Sequence, residues 1–152
     1  MKHEILIYNK TKRKVSEKFT PLRGVTQRVI ISTILKTLDF LKLKQPVEMA
    51  VLVVDKEEIK RLNKIWRKKN TTPNELSFGL NSRQIAKVVN DSGSVLELGE
   101  IVVNAEKISD KNYLSKILVH SLLHLLGYSH KQMEKFEEKI LELCREKISL
   151  SV

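Results

Sequence analysis

The sequence is poor in cysteine, and Cys144 is the only one among its 152 residues. A single thiol cannot form an internal disulfide, so disulfide-stabilised secreted domains are excluded and a reducing compartment is expected. Long apolar segments are also absent. No stretch approaches the roughly 20 residues that a membrane-spanning helix needs, and the N-terminal apolar run is too short for a signal peptide. We therefore expect a soluble, cytoplasmic protein.

Aromatic residues make up only 5% of the chain, which excludes the aromatic platform of RRM-type RNA-binding domains. The sequence contains no repeat, linker or low-complexity tract. Its 41% hydrophobic and 30% charged residues form an ordinary globular composition, too apolar for a disordered protein. The length suits one domain with its own core, and we predict a single domain over residues 1–152.

The charge is unbalanced, since 28 Lys and Arg against 18 Asp and Glu give a formal net charge of +10. This excess favours a polyanionic partner, nucleic acid first, although a lysine-rich solubilising surface explains the charge equally well. Clustering of the cations favours the partner. The clusters are Lys10, Lys12, Arg13 and Lys14 near the N-terminus, and Arg67, Lys68 and Lys69 in a predicted loop.

Apolar residues recur at strand and helix spacing along most of the chain. The spacing predicts four strands, at residues 5–8, 47–54, 76–80 and 95–103. It also predicts four helices: residues 25–41 after Pro21, 55–66, 109 or 110 to 126, and 131–147. The fold class is therefore α/β or α+β, and we favour α+β. This is a small mixed sheet of about four strands packed with about four helices.

The second helix begins at Asp55, which has the capping-box spacing to Glu58. Apolar residues recur on one side of this helix, and we expect that side to face the core. The residues concerned are Ile59, Leu62, Ile65 and Trp66.

Three histidines lie within eleven residues, in the segment HSLLHLLGYSH that begins at His120. Positions four apart share one face of a helix, so His120 and His124 can present two imidazoles to one ion. Gly127 lets the chain turn just past the helix end, and His130 can then supply a third nitrogen. The segment is so apolar that we expect this central helix to be buried nearly all round. Burial would make a metal partner for the imidazoles favourable.

Three imidazoles without an obvious fourth ligand are typical of a catalytic zinc site, although nickel, copper and manganese also accept nitrogen. Cys144 faces inward on the last helix and is interpreted as a small buried hydrophobic residue. The spacing is also that of the metzincin proteases, but Ser121 stands where they carry the glutamate that acts as general base. A serine cannot take this role near neutral pH, so a peptidase would need another carboxylate, such as Glu100 or Glu134.

The histidine segment resembles the HGxLHLxGYDH signature of the YbeY-type bacterial endoribonucleases, which act in ribosomal RNA maturation. LNKIWR at 62–67 with PNELSF at 73–78 resembles their LNxxYR…TDVLSF block, and LGEIVV at 98–103 resembles their LGDIVI strand. The resemblance covers about residues 50–145. The chain departs from the pattern at a few positions: Ser121 replaces Gly, Ser129 replaces Asp, Glu100 replaces Asp, and Pro73, Asn74 and Glu75 alter the block before Leu-Ser-Phe.

The resemblance implies a single-strand-specific, zinc-dependent endoribonuclease that matures the 3′ end of small-subunit ribosomal RNA and serves in ribosome quality control. It implies one zinc ion on His120, His124 and His130, with Arg67 and His120 as catalytic residues. Lys68 and Lys69 would hold the RNA backbone beside the Arg67 guanidinium, which can contact phosphate bidentately. The expected partner is RNA of the small ribosomal subunit and not a membrane, and we expect a monomer.

Trp66 and Tyr128 flank the histidine and arginine segments and could stack on RNA bases, although core packing is favoured for Trp66. Ser77 either lines the cleft or occupies an ordinary strand position. Two other functions stay open. One is a non-catalytic ribosome-assembly factor with a structural zinc and an RNA-binding surface, and the other is a metal-dependent hydrolase of another substrate, such as a peptide.

Overall fold

A computed structural model describes residues 2–11, 25–79 and 94–150. Three residues of the first basic cluster, Pro21 and most of the predicted loop at 81–94 lie outside these ranges. Within them, no helix is long and apolar enough to cross a membrane.

The described residues form four strands and four α-helices, which confirms the predicted α+β class. The strands are β1 (Glu4–Asn9), β2 (Val47–Val54), β3 (Glu75–Gly79) and β4 (Leu96–Asn104). The helices are α1 (Val25–Phe40), α2 (Lys56–Arg67), α3 (Lys111–Leu125) and α4 (His130–Leu150), with a short 3-10 turn at Ala105–Lys107.

The strands form one mixed sheet in the order β1-β2-β4-β3. β1, β2 and β4 are parallel, and β3 pairs antiparallel with β4 at one edge. β4 bulges before Gly99, where its register with β2 shifts. Gly99 has φ +114°, and a Cβ there would lie 2.1 Å from the Phe78 carbonyl oxygen. Only glycine fits this approach, which lets β3 pair closely with β4.

Helices cover both faces of the sheet. Alternate residues of β4 face opposite sides, and the two sides pack against different helices. Ile101 and Val103 belong to the main core with α1 and α3. Val102 packs instead with Ile59 of α2. Both α2 and α3 also contact the edge strand β3. The end of α2 and the middle of α3 are thereby brought to the same sheet edge from opposite faces.

α2 has its predicted N-cap but differs from its prediction in packing. Asp55 takes the N-cap position, and Glu58 accepts a hydrogen bond from Arg61 at 3.0 Å. The predicted N-cap position of Asp55 is therefore confirmed, without a capping hydrogen bond from its own side chain. Core packing is wrong for Ile65 and Trp66, which are 51% and 66% exposed. The Trp66 ring meets the sheet only at its edge strand, beyond which no described strand extends to cover the last turn of α2.

α3 is the central buried helix that the sequence predicts. Asp110 caps it by accepting hydrogen bonds from two backbone amides, at 3.0 and 3.1 Å. Nine residues of α3 are buried, and the helix contacts α1, α4, β3 and β4. Cys144 is buried against it on α4, as predicted. Burial raises the pKa of the Cys144 thiol, because it disfavours the thiolate, and this suits a hydrophobic role.

Candidate active-site cleft

The turn after α3 is fixed by a Schellman motif. The amide of Tyr128 donates to the carbonyl oxygen of Leu123 at 3.2 Å, and that of Gly127 donates to His124 at 3.0 Å. Gly127 has φ +84°, the left-handed conformation that this motif requires. Only Ser129 then separates the turn from α4. The predicted role of Gly127 is confirmed.

Ser129 joins this turn to α4 through a reciprocal capping box with Gln132. The Gln132 amide donates to Ser129 Oγ at 3.3 Å, and the Ser129 amide donates to Gln132 Oε1 at 3.0 Å. This cap makes His130 the first residue of α4. Ser129 therefore replaces the aspartate of the family pattern with another residue that caps helices well.

His120 and His124 lie on the exposed face of α3. After the first turn of this helix, its exposed positions are Lys116, His120 and His124, each four residues from the next. The expectation that the imidazoles are buried is therefore wrong. The apolar residues between them pack against the strands and other helices, and the histidine positions form the one stripe that water reaches.

A cleft of about 380 Å³ lies where α2, β3, α3 and the start of α4 meet. It brings together most of the residues that the sequence singles out. These are Arg67, Lys69, Ser77, His120, His124 and His130. Lys68, the C-cap of α2 with φ 57°, does not line the cleft.

The three imidazoles share this cleft but are not placed as a metal centre. Among the residues that the structure describes, no three His, Cys, Asp or Glu side chains are arranged so that they could hold a metal ion. Metal binding by His120, His124 and His130 therefore stays a prediction. Their donor chemistry fits zinc, since neutral imidazole nitrogen is one of its preferred ligands.

His120 has a carboxylate partner that the sequence did not predict. Its Nδ1 lies 2.7 Å from Oε1 of Glu137, a residue of α4. An ionised carboxylate only accepts, so the hydrogen lies on Nδ1, and in the neutral ring the lone pair lies on Nε2. Metal-binding histidines commonly make such a contact, because it fixes the ring and its tautomer.

Arg67 ends α2 beside the cleft. Its Nη2 donates to the carbonyl oxygen of Ser77 at 2.6 Å, and its guanidinium lies 5.4 Å from the Phe78 ring centroid. These contacts hold the side chain of an otherwise exposed residue against β3. A guanidinium has five N–H donors, so most of them stay available to an anion in the cleft.

The cleft is lined by a carboxylate that was not predicted from the sequence. The two glutamates named as possible bases, Glu100 and Glu134, are exposed and do not line it. The cleft carboxylate is Glu75, and its Oε2 accepts a hydrogen bond of 2.6 Å from Ser121 Oγ. The sequence gives one indication of this pair: both Glu75 and Ser121 lie at positions where the chain departs from the family pattern.

The two aromatic candidates for base stacking have different environments. The Tyr128 ring is half-buried and packs edge-on against Phe136, with centroids 5.7 Å apart. Burial raises its pKa, since it disfavours the phenolate. Trp66 is largely exposed and touches Phe78 edge-on at 6.3 Å, next to Arg67. The stacking hypothesis is therefore kept for Trp66 alone.

Comparison with known proteins places the chain among endoribonucleases. Residues 13–151 match the family model of endoribonuclease YbeY. The chain is 34% identical to endoribonuclease YbeY of Syntrophomonas wolfei, with 76% of this chain and 84% of that protein covered. It is 35% identical to that of Zymomonas mobilis, with 68% of each covered.

A solved structure was also matched, the solution structure of TM1509 from Thermotoga maritima. It covers 97% of this chain and 93% of its own, with 21% identity and a TM-score of 0.48. The class of protein follows from the family model, which describes endoribonucleases. The chain belongs to the endoribonuclease YbeY family, as the sequence resemblance predicts.

Proposed function

We propose that this protein is a metal-dependent endoribonuclease that hydrolyses single-stranded RNA in the cleft between α2, β3 and α3. One observation carries the proposal. Arg67 and the three histidines, far apart in sequence, line the same cleft in a chain of the YbeY family. The net charge of +10 supports a polyanionic substrate.

His120, His124 and His130 would hold one zinc ion. The support is their donor type, their shared cleft and the Glu137 contact, which favours the tautomer of His120 that keeps Nε2 available. When bound, such an ion supplies Lewis-acid chemistry, because it polarises an oxygen of the scissile phosphate. We group His120 with Arg67 as catalytic, because its ring would bind the ion through one nitrogen and is oriented by Glu137 through the other.

Arg67 would bind the scissile phosphate. The charge on a phosphodiester grows at its oxygens as the nucleophile approaches, and a fixed guanidinium stabilises it. The contacts with Ser77 and Phe78 orient Arg67 before substrate arrives, so little ordering remains when RNA binds. Lys69 lines the same cleft and would contact a neighbouring phosphate.

The natural substrate proposed is ribosomal RNA, at the 3′ end of the small-subunit RNA, with a further role in ribosome quality control. Resemblance to the YbeY family supports this finer statement. We also propose that the protein acts as a monomer.

The proposal is tested by cleavage of a fluorescently labelled single-stranded RNA by purified protein, with and without a chelator. His124→Ala and Arg67→Ala should each lower kcat by about 100-fold or more, because each removes a group that stabilises the transition state. Chelation should abolish cleavage by the wild type, and zinc should restore it. Metal analysis should find one ion per wild-type chain and less in His124→Ala.

Two variants serve as matched controls for that assay. Arg61→Ala removes an exposed arginine of α2 that pairs with Glu58 outside the cleft. His3→Ala removes a histidine whose Nδ1 accepts a hydrogen bond from the Val47 amide, away from α3. Both should keep wild-type cleavage. Cleavage that persists unchanged in His124→Ala and Arg67→Ala would reveal a contaminating nuclease. RNA binding without cleavage by the wild type would favour an assembly factor, and casein hydrolysis would favour a peptidase.

A further inference from the structure

Glu75 and Ser121 form a contact that joins two elements across the cleft. Glu75 opens the edge strand β3, and Ser121 lies in the middle of α3, 46 positions away. The Ser121 hydroxyl donates to Glu75 Oε2 at 2.6 Å, a short hydrogen bond to a charged acceptor. Ser121 is only 1% exposed, so this side chain has one fixed environment.

The carboxylate of Glu75 has no salt-bridge partner among the residues that the structure describes, whereas His120 pairs with Glu137. Ser121 occupies Oε2, and Oε1 has no hydrogen-bond partner in the described part of the chain. One oxygen is thus held in place while the other can accept a proton.

The contact between Ser121 and Glu75 lies at a position that carries a catalytic residue in the metzincin proteases. Ser121 directly follows His120, the place where the metzincin spacing carries a glutamate as general base. In this chain the serine cannot act as that base, but its hydroxyl holds a glutamate from another element. Glu75 and Ser121, which both depart from the family pattern, therefore contact each other.

We propose that Glu75 is the general base of this cleft and that Ser121 is its positioning residue. The role rests on the proposed function, hydrolysis of an RNA phosphodiester. The attacking oxygen forms a bond to phosphorus; it belongs to water in direct hydrolysis, or to the RNA 2′-hydroxyl in cleavage through a 2′,3′-cyclic phosphate that is hydrolysed afterwards. The proton of the attacking oxygen passes to Glu75 Oε1 as the bond from phosphorus to the leaving ribose oxygen breaks. That oxygen then takes the proton, which regenerates the carboxylate.

The test compares Glu75→Gln, Glu75→Ala and Ser121→Ala as zinc-loaded enzymes acting on the labelled single-stranded RNA. Glu75→Gln keeps the shape and a hydrogen-bond acceptor for Ser121 but cannot take a proton. Its kcat should fall by about 100-fold or more, while KM and zinc affinity stay within about twofold of wild type. Ser121→Ala keeps the base but loses its anchor, and its kcat should fall by about tenfold. Glu100→Gln, an exposed glutamate outside the cleft, is the matched control.

Chemical rescue separates proton transfer from a structural role. Formate is a small carboxylate that can enter an open cleft, so it should raise the kcat of Glu75→Ala in a saturable manner, and chloride should not. Wild-type kcat in Glu75→Gln overturns the role, and so does an absence of formate rescue. A large loss of zinc affinity in Glu75→Gln also overturns it, because the carboxylate would then hold the ion. Failure of the wild type itself to cleave RNA marks a failure of the proposed function.

Discussion

Trp66 is the only tryptophan of the chain, and it is two-thirds exposed at the end of α2. Its neighbour Arg67 contacts the same Phe78 ring, so a planar apolar surface lies directly beside the cationic group of the cleft. Exposed aromatic rings in this setting bind unstacked bases, because every base has a π-face. The solvent exposure that disproves the predicted core packing of Trp66 thus makes the residue available to RNA.

We expect single-stranded RNA to quench Trp66 fluorescence, whereas a duplex of the same sequence should not. Stacking contributes about 1–3 kcal/mol per base, so Trp66→Ala should weaken binding of the single strand by roughly tenfold. A fluorescence titration with labelled oligonucleotides measures both effects. Tyr8→Ala is the control, since Tyr8 is exposed on β1 at the opposite edge of the sheet. Equal losses in the two variants would contradict a stacking site at Trp66.

At the scale of elements, the histidine motif is a helix end followed by a helix start. The last turn of α3 carries His124, the turn before it carries His120, and the first position of α4 carries His130. Between them the Schellman turn at Gly127 and the capping box of Ser129 leave little freedom. The relative placement of the three imidazoles therefore depends on how well both helix ends are capped.

Ser129→Ala should lower the free energy of unfolding by about 1 kcal/mol, the usual effect of losing an N-cap side chain. It should also weaken zinc binding, because the first turn of α4 frays and His130 lies in it. Ser129→Asp is the matched variant, since aspartate caps helices equally well, and it should restore both properties. Urea denaturation and zinc titration provide the two readouts. If Ser129→Ala matched the wild type in both, the cap would have no influence on the site.

At the scale of the whole molecule, the net charge is +10. The three cations of the second basic cluster, residues 67–69, do not all lie at the same site. Arg67 and Lys69 line the cleft, and Lys68 lies outside it with a left-handed backbone. General attraction between a basic protein and RNA would depend on all three equally. Specific phosphate contacts would depend on the two that line the cleft.

Salt dependence distinguishes these cases, because each phosphate contact to a single strand adds about 0.7 to the slope of log affinity against log salt. Lys69→Gln should reduce the slope by about this amount, while Lys68→Gln should leave it near the wild-type value. Binding to a labelled single-stranded oligonucleotide over a series of potassium chloride concentrations measures the slope. Equal reductions in both variants would show that only the overall charge attracts RNA.

The sequence alone determined the elements and the family. β2 was predicted at its observed bounds, Asp110 was one of the two N-cap positions predicted for α3, and the turn at Gly127 was placed correctly. Apolar periodicity and capping are local properties of a few consecutive residues. The three histidines could be grouped for the same reason, since the last lies only ten positions after the first. These features depend little on the rest of the fold.

Only the tertiary structure decided which distant residues meet. The strand order places β3 at the edge of the sheet, where it brings Glu75 to Ser121 and exposes Trp66. The packing of α4 on α3 likewise brings Glu137 to His120. Such contacts depend on sheet order and helix packing, which arise from many weak interactions summed over the whole core. No local pattern near position 75 or 137 encodes its partner.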